Sequence, residues 1–242
     1  MAMHISEIMK KAPVIPVLQV EDVEHAVPMA RALVAGGLPV LEVTLRTPVA
    51  LDVIEAMAKS VPEAIVGVGT VCRPGEFDRA QDVGAQFVVS PGVSRALLDS
   101  AVRTGLPFLP GAVTPTEILM AMEAGWQYMK FFPAEACGGL KTLKSFHGPF
   151  PDIRFCPTGG LRPENYLEYL ELPNVLCVGG TWLTPADAVR TGDWQRITDI
   201  AARVSGVKTA HGDAGAGSDA EVASTVGEED PGAADEELVT RR

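Results

Sequence analysis

Eight short apolar runs, each followed by a helix-patterned segment, constrain this chain more than any other feature. The runs fall at residues 14–20, 40–45, 64–68, 86–89, 107–109, 128–132, 153–156 and 175–178. Helix-like segments follow at 23–35, 50–60, 76–83, 95–103, 115–124, 140–146, 163–170 and 194–204. Each run has the length of a strand. Gly36, Gly37, Gly84, Gly105 and Gly125 come just after helical segments, where a helix stop suits glycine. Pro48, Pro74, Pro115 and Pro163 stand at or just before helix starts, where a missing N–H costs little.

Strand and helix alternating in one run predict a parallel α/β sheet. A closed (β/α)8 barrel, the TIM-barrel architecture, takes eight such units without leaving an edge. An open doubly wound sheet would carry fewer strands and a glycine fingerprint after the first one, and Val20-Glu21-Asp22 contains no glycine. A chain of 242 residues that is 47% hydrophobic is enough for one barrel. Residues 3–11 predict a short amphipathic N-terminal helix with Ile5, Ile8 and Met9 on one side.

From about Lys208 the composition changes. Residues 209–242 hold nine acidic side chains against Arg241 and Arg242, with few large apolar groups. Such a stretch buries too little surface to offset its ordering entropy, so the expectation is a barrel over 1–208 and a disordered acidic tail over 209–242. The net charge of −11 argues against nucleic acid as a partner. No run approaches the ~18 apolar residues of a membrane helix, and a signal-peptide core is missing. Cys72, Cys137, Cys156 and Cys177 stand singly, which reads as reduced thiols in the cytoplasm and as no metal site.

Chemistry in a barrel of this kind gathers at the C-terminal ends of the strands. Lys130 lies inside the apolar run Tyr128-Met129-Lys130-Phe131-Phe132 and is the one lysine on a predicted strand. A buried ammonium needs a carboxylate or gives up its proton, and a neutral buried amine attacks carbonyl carbons. The bland alternative is a lysine snorkelling to water at a strand end. On the second run, period two turns Glu42, Thr44 and Arg46 the same way, toward the interior and mouth. Glu42 then needs a partner, either Arg46 or Lys130. Paired glycines close the seventh and eighth runs, in Thr158-Gly159-Gly160 and Gly179-Gly180-Thr181. Barrels of this architecture commonly bind phosphate with main-chain N–H groups at those two loops.

Five segments carry a resemblance: residues 42–47 (EVTLRT), 66–71 (VGVGTV), 89–92 (VSPG), 130–135 (KFFPAE) and 155–160 (FCPTGG). Together they closely resemble the class I 2-keto-3-deoxy-6-phosphogluconate (KDPG) aldolases, which also often cleave 4-hydroxy-2-oxoglutarate (KHG). The resemblance runs from about residue 8 to 207 and leaves the tail aside. It implies a metal-independent lyase without cofactor, acting on a 2-oxo acid that is usually phosphorylated, and a homotrimer. It implies Lys130 as the Schiff-base lysine and Glu42 as the general acid/base. Arg46 and Thr70 would hold the pyruvate carboxylate, Phe132 would pack on the pyruvyl unit, and backbone at Pro91 would line the pocket. Thr158 would contact substrate, and Gly159, Gly160, Gly180 and Thr181 would hold the phosphate. Many members carry serine at the last position; Thr181 keeps the hydroxyl and adds a methyl. The remaining alternatives are an enzyme working mainly on 4-hydroxy-2-oxoglutarate and a non-catalytic barrel that binds sugar phosphates.

Overall fold

The structure is a computed structural model and describes residues 3–207. A short helix, α1 (Ile5–Met9), opens the chain and is closed at its start by a reciprocal cap between His4 and Glu7. Eight strands follow: β1 (Val14–Leu18), β2 (Val40–Thr44), β3 (Ile65–Gly69), β4 (Phe87–Val89), β5 (Phe108–Leu109), β6 (Tyr128–Phe131), β7 (Arg154–Pro157) and β8 (Val178–Gly180). Between and after them run α2 (Ala26–Ala35), α3 (Ala50–Ser60), α4 (Gly75–Asp82), α5 (Arg95–Thr104), α6 (Pro115–Glu123), α7 (Gly139–His147), α8 (Tyr166–Leu170), α9 (Ala186–Thr191) and α10 (Trp194–Ser205).

The strands pair in parallel in the order β5-β4-β3-β2-β1-β8, with β6 and β7 forming a second ladder. Single bridges join the two ladders. Gly111 pairs with Lys130 on one side, and Phe155 with Val175 and Thr158 with Gly179 on the other. The sheet is thereby curled into the (β/α)8 barrel that the eightfold alternation predicts.

Period two then divides each strand between two apolar clusters. Leu41, Val43, Met129, Phe131 and Phe155 face outward and pack under the helices. Ile15, Val40, Phe87, Val89, Leu109 and Cys156 face inward, where Ile5, Ile8 and Met9 of α1 pack against them. Glu42 and Lys130 occupy the inward phase of β2 and β6, alternating with the outward pairs Leu41/Val43 and Met129/Phe131. Their burial follows from strand register.

Of the boundaries that depart from the sequence reading, three have a local hydrogen-bonding cause. The eighth strand begins at Val178, not at 175, because residues 174–176 bond to β7 first: Phe155 N–H donates to Asn174 O and Leu176 N–H to Phe155 O. The helix expected at 163–170 starts only at Tyr166, since the Asn165 side chain accepts from Arg162 N–H and holds a turn there. The segment 23–35 begins as a single 3-10 turn, Val23–His25, where Asp22 caps Glu24 N–H. The short helix α9 was not anticipated. The tail expected at 209–242 lies outside the described residues.

Candidate active site

β6 and β2 lie four places apart around the ring, so their inward side chains meet across it. Lys130 Nζ donates to Glu42 Oε1 at 2.8 Å, and the two residues are 5% and 3% exposed. Of the two partners open to Glu42 from sequence, the lysine is the one bonded. The backbone fixes the lysine end of the pair on both sides. Lys130 N–H donates to Pro110 O at 2.8 Å, and Lys130 O accepts from Ala112 N–H at 2.8 Å. On the other side, β3 carries Gly69, where a Cβ would collide with Glu42 Oε1 and Cγ. Gly69 therefore leaves the space that the carboxylate fills.

The Phe132 ring centroid lies 5.4 Å from Lys130 Nζ, close enough for the ring face to attract a cation. Beyond the amine opens a cavity of about 160 Å³, lined by Lys130, Phe132, Arg46, Thr158, Gly159, Gly160 and Thr181. All seven were singled out from sequence. Val17, Leu161 and Gly179 complete the lining; the first two were missed, and Gly179 was noted only as one of the paired glycines of the eighth run. Val17 lies in a strand buried along its whole length, so hydropathy alone cannot say which way it faces. Of those paired glycines the resemblance assigns phosphate to Gly180, yet it is Gly179 that pairs with Thr158 and leaves room for the Thr158 hydroxyl. Gly180 is buried on β8, where a Cβ would strike the Trp182 ring.

Arg46 sits two residues past the end of β2 and is exposed, so strand alternation no longer applies to it. It still lines the cavity and has no ion-pair partner among the described residues. Thr44 spends its hydroxyl on Leu18 O at 2.9 Å, tying β2 to β1. Thr70 and Pro91 lie off the cavity wall. Thr70 directly follows Gly69 and takes a left-handed backbone, φ 64°, unusual for a non-glycine residue. The Pro91 carbonyl sits against Gly111, which in turn pairs with Lys130.

Two buried thiols are close by. Its hydrogen bond with Cys156 and its own burial push the Cys177 thiol well up, so it stays protonated and is a poor nucleophile. Among the described residues no cluster of three His, Cys, Asp or Glu could hold a metal ion, and no helix is long and apolar enough to cross a membrane. A larger groove of about 450 Å³ opens at the other end of the barrel, by α1 and the starts of β5 and β6. His4 and Tyr128 meet there edge to face, 5.5 Å between ring centroids, whereas the buried lysine belongs to the smaller cavity.

An amine facing a carboxylate at the C-terminal ends of parallel barrel strands defines a class, the Schiff-base (class I) aldolases. Residues 5–200 match the family model described as KDPG and KHG aldolase. The chain is 54% identical over 194 residues to the KHG/KDPG aldolase of Escherichia coli K12, covering 80% of this chain and 91% of that one. A solved KDPG aldolase from Legionella pneumophila, with pyruvate captured as a covalent carbinolamine intermediate, superposes with a TM-score of 0.82 at 43% identity, over 84% of this chain and 98% of that one. The KDPG aldolase of Zymomonas mobilis ZM4, solved with 3-phosphoglycerate, superposes at 0.81 with 48% identity, covering 85% and 97%. The chain belongs to the KDPG and KHG aldolase family.

Proposed function

We propose that the protein cleaves 2-dehydro-3-deoxy-6-phosphogluconate to pyruvate and glyceraldehyde 3-phosphate through a Schiff base on Lys130. Cleavage of 4-hydroxy-2-oxoglutarate to pyruvate and glyoxylate is the second activity in this reading, supported by the likeness to the E. coli enzyme. One observation carries the proposal: a buried lysine bonded at 2.8 Å to a buried glutamate beside the cavity.

Glu42 takes a proton from Lys130 along that bond, leaving a neutral amine that adds to the C2 ketone. The carbinolamine hydroxyl leaves as water with the proton that Glu42 carries, which restores the carboxylate and gives an iminium, and the iminium draws electrons from the breaking C3–C4 bond. Glu42 accepts the C4 hydroxyl proton during cleavage and returns one to C3 of the enamine. Hydrolysis then frees pyruvate and restores the amine. Arg46 offers a planar fork to the pyruvate carboxylate, which holds C2 within reach of Nζ; Thr70 and Pro91, off the cavity wall, enter this reading only through the family resemblance. Phe132 covers the pyruvyl unit and Thr158 contacts the substrate chain. The phosphate falls to backbone and hydroxyl groups of Gly159, Gly160, Gly180 and Thr181.

The reading includes a homotrimer, supported by Val102, Leu119 and Met122 exposed on α5 and α6. It also includes a cytoplasmic setting, supported by free thiols at the four cysteines. The test is reduction with borohydride in the presence of pyruvate. A pyruvyl adduct on the peptide holding Lys130 is the expected result, and no adduct, or one on another lysine, removes the assignment.

A further inference from the structure

One buried tyrosine takes no part in the chemistry just described. Tyr169 of α8 is fully buried, yet its hydroxyl donates to Glu135 Oε1. Glu135 begins a single 3-10 turn, Glu135–Cys137, just after Phe132 and Pro133. That turn is tied to the loop after β7: Ala134 N–H donates to Thr158 O at 2.8 Å, and Glu135 N–H to Gly159 O at 3.1 Å. Two glycines make the fit possible. A Cβ on Gly160 would come within 2.6 Å of Glu135 Cβ and Cγ, and one on Gly139 within 2.5 Å of the Tyr169 hydroxyl oxygen. The stem of Glu135 thus forms the floor under Gly160, and its carboxylate is tied off by Tyr169.

Gly159 and Gly160 have φ of 98° and 82°, a backbone that only glycine adopts readily and that is loose unless its neighbours hold it. An unpaired carboxylate beside a phosphate site would also repel the ligand and compete for its N–H donors. The tyrosine hydroxyl engages that charge. Burial, and then the Glu135 carboxylate, raise the Tyr169 pKa, so the hydroxyl stays a donor at neutral pH.

We propose that Tyr169 and Glu135 are positioning residues that fix the Thr158–Gly160 loop relative to Lys130 and thereby favour the phosphorylated substrate. This rests on the assignment of Gly159 and Gly160 to the phosphate. The pair touches no reacting atom; it acts through the loop.

The experiment compares the full-length protein with Tyr169→Phe and Glu135→Gln. It measures KM and kcat for the phosphorylated substrate and the pyruvate concentration that half-saturates borohydride trapping. Tyr169→Phe should raise KM about tenfold, the scale of one lost charge-assisted hydrogen bond, with kcat held within about twofold. Glu135→Gln keeps an acceptor for the tyrosine and should stay close to the parent. Pyruvate, which has no phosphate, should trap equally in all three. An unchanged KM in Tyr169→Phe overturns the proposal, and so does an equal loss in pyruvate trapping. Should Tyr169→Phe fail to fold, Glu135→Ala removes the same fastening from an exposed position and should show the same split. Failure of the parent to trap pyruvate at Lys130 would sink the aldolase reading instead, a separate outcome.

Discussion

Glu42 and Lys130 are each unremarkable residue types made reactive by position. A carboxylate and an ammonium taken out of water stabilise a fold only weakly as a pair, while loss of one partner strands the other. Glu42→Gln keeps a hydrogen-bond acceptor of the same size, so pyruvate should still bind, with trapping at Lys130 slowed because the amine has lost its proton acceptor. Turnover should fall by roughly 10²-fold or more, measured by a lactate dehydrogenase-coupled assay. Gly69→Ala asks a different question. The new methyl meets the flexible end of Glu42, not backbone, so the fold should tolerate it while the carboxylate is pushed off the amine. Expected are a melting temperature near the parent's and turnover lower by on the order of 10-fold to 10²-fold. Unchanged turnover would mean that the placement of Glu42 tolerates the crowding. Lys130 and Glu42 were legible in the sequence because an ionisable group inside an apolar run is conspicuous. Gly69 and Gly179 were legible as small residues at strand ends, but not the side chains they make room for, Glu42 and Thr158, since no hydropathy pattern records what an absent side chain admits.

At the scale of elements, α8 carries two of the three tyrosines, Tyr166 and Tyr169. Burial raises the pKa of both, and the Glu135 carboxylate raises that of Tyr169 further. A raised folded-state value means stability that is fully present below the unfolded pKa of about 10 and is lost as pH climbs through the folded values. Native protein should therefore develop part of its tyrosinate absorbance later than protein in denaturant, and helix content should fall above pH ~10. In Tyr169→Phe the late component should shrink. Strand and helix order was readable because breakers and apolar runs alternate so regularly. The eighth strand was misplaced for a reason local sequence cannot hold: residues 174–176 change ladder partner, from β7, before β8 proper joins β1. The tie from Glu135 to Tyr169 spans 34 positions, beyond any periodicity.

For the molecule as a whole, the family match ends at residue 200, well short of the acidic stretch. Truncation after Lys208 should leave lyase kinetics and the melting temperature of the barrel unchanged. A loss of activity would give residues 209–242 a part in the site. Sedimentation of the full chain should report three copies of 25.6 kDa, and replacing Val102 and Leu119 by lysine should shift it toward one. A parent that sediments as a single chain would remove the trimer from the reading.

The bond between β6 and β2 runs across the ring, so the barrel is clasped over its own diameter. Condensation with a ketone uses up the nitrogen's half of that clasp and sets the acid free at the moment protons have to move. Arrival of the oxo acid would then be the key as well as the cargo, and idle protein would keep its base locked away from water and stray carbonyls.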